Sequence, residues 1–204
     1  MNMEYCHTTA SGAKKIHLKF IELTTTKLMQ YLEKTRVRNA CKIGCINYNW
    51  KWCCPPDSKT LDMLAEDYTY VIIVCVYVYL SDFKSVQNRY LKIRAANAIL
   101  TSQSNKISRK IENDLNGLAL LSGSCNLCKP CAKKINLPCK KPTKMRFSLE
   151  STGVNVCKLL YETMDFELQW YKKDFIPHYT AVTSGILSRD KPLFDKESIY
   201  SVIS

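Results

Sequence analysis

Glycine and proline are scarce in this chain, 6 and 7 of 204 residues, which excludes a collagen-like or low-complexity polypeptide. No apolar run is long. The longest, Tyr70 to Leu80, has 11 residues, too few to cross a bilayer as a helix. Met1 to Phe20 shows neither the apolar core nor the small-residue cleavage site of a signal peptide. The expectation is a soluble, cytoplasmic protein with no membrane partner. Histidine is sparse too: His7, His17 and His178 have no ligand spacing to one another or to the cysteines. There is no Gly-rich phosphate loop, no Gly-x-Ser-x-Gly, no His-Glu-x-x-His and no internal repeat, so no catalytic residue is assigned.

What is abundant is cysteine, with 11 residues. In a reducing compartment that number favours metal over disulfides, and an odd count leaves one thiol over in any fully paired framework. Four cysteines fall within fifteen residues, as Cys125-x2-Cys128-x2-Cys131-x7-Cys139. Chained Cys-x2-Cys steps make the soft-ligand loop that wraps an iron–sulfur cluster in bacterial ferredoxins. A zinc ribbon instead separates two Cys-x2-Cys pairs by a longer stretch. The preferred cofactor is therefore an iron–sulfur cluster of the [4Fe-4S] type, with zinc as the alternative. The match to a ferredoxin run has departures. The last gap is seven residues instead of three, and Pro138 precedes Cys139 where a proline normally follows.

A second group lies upstream, Cys41-x3-Cys45-x8-Cys54 with Cys53 adjacent. If extended, Cys53 and Cys54 would point in different directions, so one ligand is expected from the pair. Three thiolates would complete a structural site or leave a metal position open to chemistry. Radical chemistry on S-adenosylmethionine needs Cys-x3-Cys-x2-Cys; the third cysteine is misplaced here, and the chain falls short of the roughly 250 residues of a full barrel. Cys75 reads as a core residue inside an apolar strand, while Cys6 and Cys157 stand apart from both groups.

The formal net charge is +12, and no acid interrupts Cys125 to Leu149, which holds Lys129, Lys133, Lys134, Lys140, Lys141, Lys144 and Arg146. A cluster on four thiolates carries about −2, which such lysines would offset. Nucleic acid is the lesser reading, because the basic stretch lacks stacking aromatics.

An apolar content of 46% and 10% aromatics suit one domain with a real core. We expect a strand near Ile16–Leu23, a helix over Lys27–Lys34 and another over Ser58–Tyr68. Tyr70–Leu80, β-branched and apolar on both faces, should be the middle strand of a sheet. Helical spacing marks Val86–Leu100, a break at Thr101–Asn105, and a second helix from Ile107 to Leu118, with Gly123 as its C-terminal cap leading into Cys125. Leu149 to Met164 reads as a helical face, His178–Leu187 as the last strand, and the tail to Ser204 as peripheral. Together these give an α/β or α+β fold over residues 1–204: one domain, a central sheet flanked by helices and cysteine-rich loops, its core about 35–187.

Three stretches resemble a family of uncharacterised bacterial and archaeal metal-binding proteins, the family of unknown function numbered 2284. They are Cys41 with Cys45-Ile-Asn-Tyr48-Asn-Trp-Lys-Trp52-Cys-Cys54-Pro55-Pro56; Gly123-Ser-Cys125-Asn-Leu-Cys128-Lys-Pro-Cys131 with Pro138-Cys139 and Pro142; and Arg146-Phe-Ser148-Leu-Glu150-Ser-Thr-Gly153-Val154. Asn49 stands where the family has glycine, Ile46 where it has proline, and Cys53 where it has a small polar residue. The resemblance implies Cys41, Cys45 and Cys54 as one ligand group and Cys125, Cys128, Cys131 and Cys139 as the other. It supplies no reaction.

Arg146, Ser148 and Glu150 read either as support for the cluster or a substrate, or as a helix start with Ser148 as N-cap. The helix start is preferred. The functional expectation is a cysteine-rich metal-binding protein carrying one or two [4Fe-4S] clusters, used for electron transfer or as an accessory to a redox partner protein. The alternative is a zinc-stabilised module with a basic nucleic-acid-binding loop.

Overall fold

A computed structural model describes residues 1–10, 12–172 and 175–193 of the chain. Its centre is a five-stranded antiparallel sheet in the order β1-β2-β3-β5-β4. The strands are β1 (Asn2–Thr9), β2 (Gly12–Thr24), β3 (Tyr70–Tyr79), β4 (Leu118–Leu120) and β5 (Tyr179–Ser188). The helices are α1 (Thr25–Met29), α2 (Lys34–Gly44), α3 (Leu61–Ala65), α4 (Arg89–Asp114) and α5 (Val156–Met164). The expected mixed fold is present, in its antiparallel form. No described helix is long and apolar enough to cross a membrane.

β3 is paired on both sides, with β2 and with β5. Its alternate residues serve two cores, which is why the run is apolar throughout. Ile72, Val74, Val76 and Val78 face α4 together with Ile16, Leu18 and Phe20 of β2. Val71, Ile73 and Cys75 face the opposite layer, packing with Leu28, Leu61, Leu64, Leu149, Leu159 and Leu160. Cys75 is fully buried, as a core residue should be.

Several expected boundaries are corrected. α4 runs unbroken through Thr101–Asn105. Its face carries buried Ala96, Leu100, Ile107 and Ile111, and each buried aliphatic side chain is worth about 1.5–3 kcal/mol, more than polar residues cost a helix at up to ~0.7 kcal/mol each. The polar run also finds partners. Ser104 and Ser108 Oγ lie 3.2 and 2.7 Å from Ser184 Oγ, and the Ser122 N–H donates to Asn105 Oδ1 at 3.2 Å.

Leu118 is not helical. Asn116 takes a left-handed conformation, φ 45°, and the chain turns into β4. Gly123, at φ 73°, therefore opens the cysteine loop after a strand instead of capping a helix. The expected helix at Lys27–Lys34 is divided between α1 and α2, and Leu32 in the gap bridges Val154.

Residues 149–153 form a turn before α5. The N-cap is Asn155, whose side chain accepts from the Lys158 N–H, so Ser148 is not the cap. Ser148 pairs instead with Ser151 inside the turn, each backbone N–H donating to the other's hydroxyl. β1 has no counterpart among the sequence expectations, and α2 carries Cys41 of the upstream cysteine group. The tail residues 194–204 lie outside the described residues.

Candidate metal centre

Cys125 to Met145 has little regular structure beyond one turn of 3-10 helix at Ala132–Ile135. Its shape comes from outside anchors. Glu112 of α4, 5% exposed, receives the Arg146 Nε–H, Arg109 Nη1 at 3.0 Å and the Ala119 N–H at 2.7 Å. Arg109 also donates to the Lys144 carbonyl at 3.0 Å, and Arg146 to those of Thr143 and Met145. The far end of the loop is thereby fastened to α4. A carboxylate holding two guanidiniums in a desolvated position makes strong charge-assisted bonds.

The near end is fastened by the upstream cysteine segment. Lys51 Nζ donates to Ser124 Oγ at 2.8 Å, the Cys125 carbonyl at 2.9 Å and Asn126 Oδ1 at 2.9 Å. Trp52 Nε1 donates to the Leu137 carbonyl at 2.9 Å, and Lys133 lies 4.5 Å from the Trp52 ring centre while pairing with Asp57 at 2.6 Å. The segment itself folds tightly. Asn49 sits at φ 56°, a left-handed position that glycine or asparagine tolerates. Its N–H donates to the Pro55 carbonyl at 2.8 Å.

Between these segments is a small pocket with about 20 Å³ of interior space, close to one water molecule. Cys125, Cys128, Cys131 and Cys139 all line it, and so does Cys53. Lys51, Lys140 and Lys141 give the wall positive charge, while Leu127, Ala132 and Met145 shield it from water. A multi-iron core would have to spread the arms around Cys128–Cys131 and Cys139–Lys141. Cys53 and Cys125 are held more firmly, since the Cys125 N–H donates to Cys53 Sγ at 3.1 Å. Among the described residues no three His, Cys, Asp or Glu side chains converge as closely as a single metal ion requires.

Cys41, Cys45 and Cys54 do not line this pocket. Cys41 is on α2 and Cys45 caps it, one helical turn apart on the same face. Cys54 is 7% exposed, with Sγ 3.7 Å from Cys53 Sγ. The pair is not extended as the sequence suggests. A turn closed by the Cys54 N–H on the Lys51 carbonyl at 3.0 Å brings both thiols together. Cys53 thus joins the two cysteine groups, with Cys125 on one side and Cys54 on the other.

The thiols differ in acidity. The Cys54 thiol, the Cys125 N–H and the Lys51 ammonium draw Cys53 down to about 6 against the opposing effect of burial. Cys54 is pushed up, first by its bond to Cys53 and then by burial. Burial raises Cys125, with the Cys53, Cys139 and Cys128 thiols adding to it. Burial, Cys45 and Glu150 raise Cys41. Five thiols around one pocket are a soft donor set of the kind that takes iron–sulfur clusters or zinc, and a poor one for hard cations such as magnesium, which prefer oxygen ligands.

The family model for predicted metal-binding proteins, DUF2284, matches residues 26–187. The chain belongs to that family. No curated protein and no solved structure matches it. The DUF2284 span takes in all seven expected ligands, Lys51 and Cys53, and leaves out β1 and β2 entirely.

Sequence reading passed over Lys51 and gave Cys53 no role of its own. Lys51 sits in Trp50-Lys51-Trp52-Cys53, where one cation between two tryptophans beside a cysteine pair was the available signal.

Proposed function

We propose that this metal-binding protein carries a [4Fe-4S] cluster on Cys125, Cys128, Cys131 and Cys139, for electron transfer or as an accessory to a redox partner. The observation that carries this reading is the lining of one pocket by all four thiols under a lysine wall. The chained two-residue gaps between the first three suit a cluster better than a zinc ribbon. The cluster would supply one-electron chemistry. The chain's own residues supply the rest: Lys51, Lys140 and Lys141 offset thiolate charge, and Leu127, Ala132 and Met145 limit water. Cys41, Cys45 and Cys54 form a further ligand group behind the Cys53–Cys54 pair.

Exposed Lys134, Lys140, Lys141 and Lys144 surround the loop and suit a partner with an acidic face. The zinc and nucleic-acid alternative rests on Trp50, 51% exposed with Lys134 5.2 Å from its ring centre, an aromatic on the basic face. It has less support, since Lys133 is paired with Asp57 and Arg146 with Glu112.

The test is optical and EPR spectroscopy on anaerobically purified protein, before and after dithionite. A broad visible absorption that bleaches on reduction, lost in Cys128→Ser and kept in Cys157→Ala, is expected. A colourless zinc protein whose nucleic-acid binding falls steeply with salt would move the alternative to the front.

A further inference from the structure

A cavity of a different character from the basic loop lies beside it. β4 pairs only with Gly185–Leu187 of β5, so Tyr179–Ser184 has no strand partner on that edge among the described residues. An unpaired edge presents backbone donors and acceptors. A cavity of about 420 Å³ runs along it, closed by α4, by Ser122 and Gly123 at the start of the cysteine loop, and by residues 168–171 with Pro177. This cover leaves room for a small molecule and obstructs an added peptide strand.

Its lining is polar at defined points and contains no lysine or arginine among the described residues, in a chain of net charge +12. Asn97 and Thr180 reach it hydrogen-bonded to each other at 2.6 Å, with Thr101 one turn along α4. Ser122 lines it with a buried hydroxyl that has no partner. Thr183 has beside it only the thiol of cross-strand Cys75, a weak hydrogen-bonding group. Trp170 and Tyr171 supply aromatic surface.

Among the described residues its one carboxylate is Glu150. Its recorded partners are its own backbone N–H and the Ser148 hydroxyl, and no cation pairs with it among the described residues. On its other side it borders a second cavity, where Arg36 and Lys158 occur, but these pair with Glu33 and Glu162. A half-buried carboxylate with no cation beside it favours a ligand that brings one.

We propose that this cavity binds a small organic amine, its cationic nitrogen against Glu150, its other polar groups on Asn97, Thr101 and the open edge of β5, and its apolar part on Trp170. None of the seven proposed metal ligands lines this cavity. It assigns Glu150 a ligand-binding role where a helix start was the preferred sequence reading.

The test is isothermal titration of the full chain, metal-loaded as purified, with tyramine, agmatine and putrescine, and with 4-ethylphenol as the neutral counterpart of tyramine. Saturable binding of at least one amine is expected, with Glu150→Gln weakening it at least about tenfold while the variant still unfolds in one cooperative thermal transition. Tyramine, if it is the binder, should exceed 4-ethylphenol by a similar factor. Thr101→Trp, which fills the cavity from the helix side, should abolish binding even if Glu150→Gln fails to fold. The proposal is overturned if none of the three amines binds at millimolar concentration. Undiminished amine binding by a folded Glu150→Gln or by Thr101→Trp, or equal binding of tyramine and 4-ethylphenol, would overturn it as well.

Discussion

The backbone N–H of Cys125 donates to the Sγ of Cys53 at 3.1 Å, across 72 positions of sequence. That bond and the three made by Lys51 join the upstream cysteine segment to the loop. A thiol that accepts a backbone N–H is oriented and favoured as the thiolate. Cys53 therefore acts as part of the loop site.

Cys53→Ala and Lys51→Met should each weaken metal retention by about 10- to 100-fold, the range for groups that orient metal ligands. Release of metal to a chromogenic chelator measures this. Cys157→Ala, on the exposed face of α5, is the control and should match wild type. Equal release from all three variants would refute a joined site.

Glu112→Gln should destabilise the fold by about 3 kcal/mol, because it leaves Arg146 and Arg109 without their carboxylate. Urea unfolding gives the loss. Limited proteolysis should then cut between Thr143 and Phe147, where wild type resists.

Gly117→Ala should cost about 1–3 kcal/mol, since an added Cβ would stand 2.3 Å from the Leu187 carbonyl oxygen. Gly153→Ala should behave similarly: φ is +98° and the new atom would meet Leu32 and Lys34 at 3.0 and 3.1 Å. Gly44→Ala, with nothing within 4 Å, should leave the thermal midpoint within a degree or two.

Burial pushes the Glu150 carboxyl above the usual carboxylate range. The folded chain then keeps this proton to higher pH than the unfolded chain does. Its contribution to stability is complete below about pH 4.3, the unfolded value, and is lost as pH rises through the folded value. Glu150→Gln removes that loss, so its stability relative to wild type should be higher at neutral pH than at about pH 4. Urea midpoints at both pH values check it; a difference independent of pH would contradict it.

The legible parts of the fold were those where one local pattern had one meaning. β3 was legible because only a strand packed on both faces needs Val71 to Val78 apolar at every step. α4 was hidden at Thr101–Asn105 because its polar residues are satisfied from elsewhere, by Ser184 and the Ser122 N–H. β4 has only three residues and takes its structure from β5. β1 alternates weakly, with Met3 its one buried side chain.

The candidate site divides the same way. Chained spacing showed that the four loop cysteines belong together, and they share a pocket. Cys53 was obscured by its neighbour, since an extended chain would separate two adjacent thiols and only the turn at Lys51–Cys54 unites them. The role of Lys51 was not readable, because its three partners lie 73 to 75 positions away. Glu150 was noticed, but its lack of a cation is a property of the folded surroundings.

The most direct measurement is iron, acid-labile sulfide and zinc content of the anaerobically purified chain, beside Cys128→Ser and Cys54→Ser. The account predicts about four irons and four sulfides per chain from the loop site, lost in Cys128→Ser and retained in Cys54→Ser, with any further iron assigned to the Cys41, Cys45 and Cys54 group. Stoichiometric zinc without sulfide would contradict it.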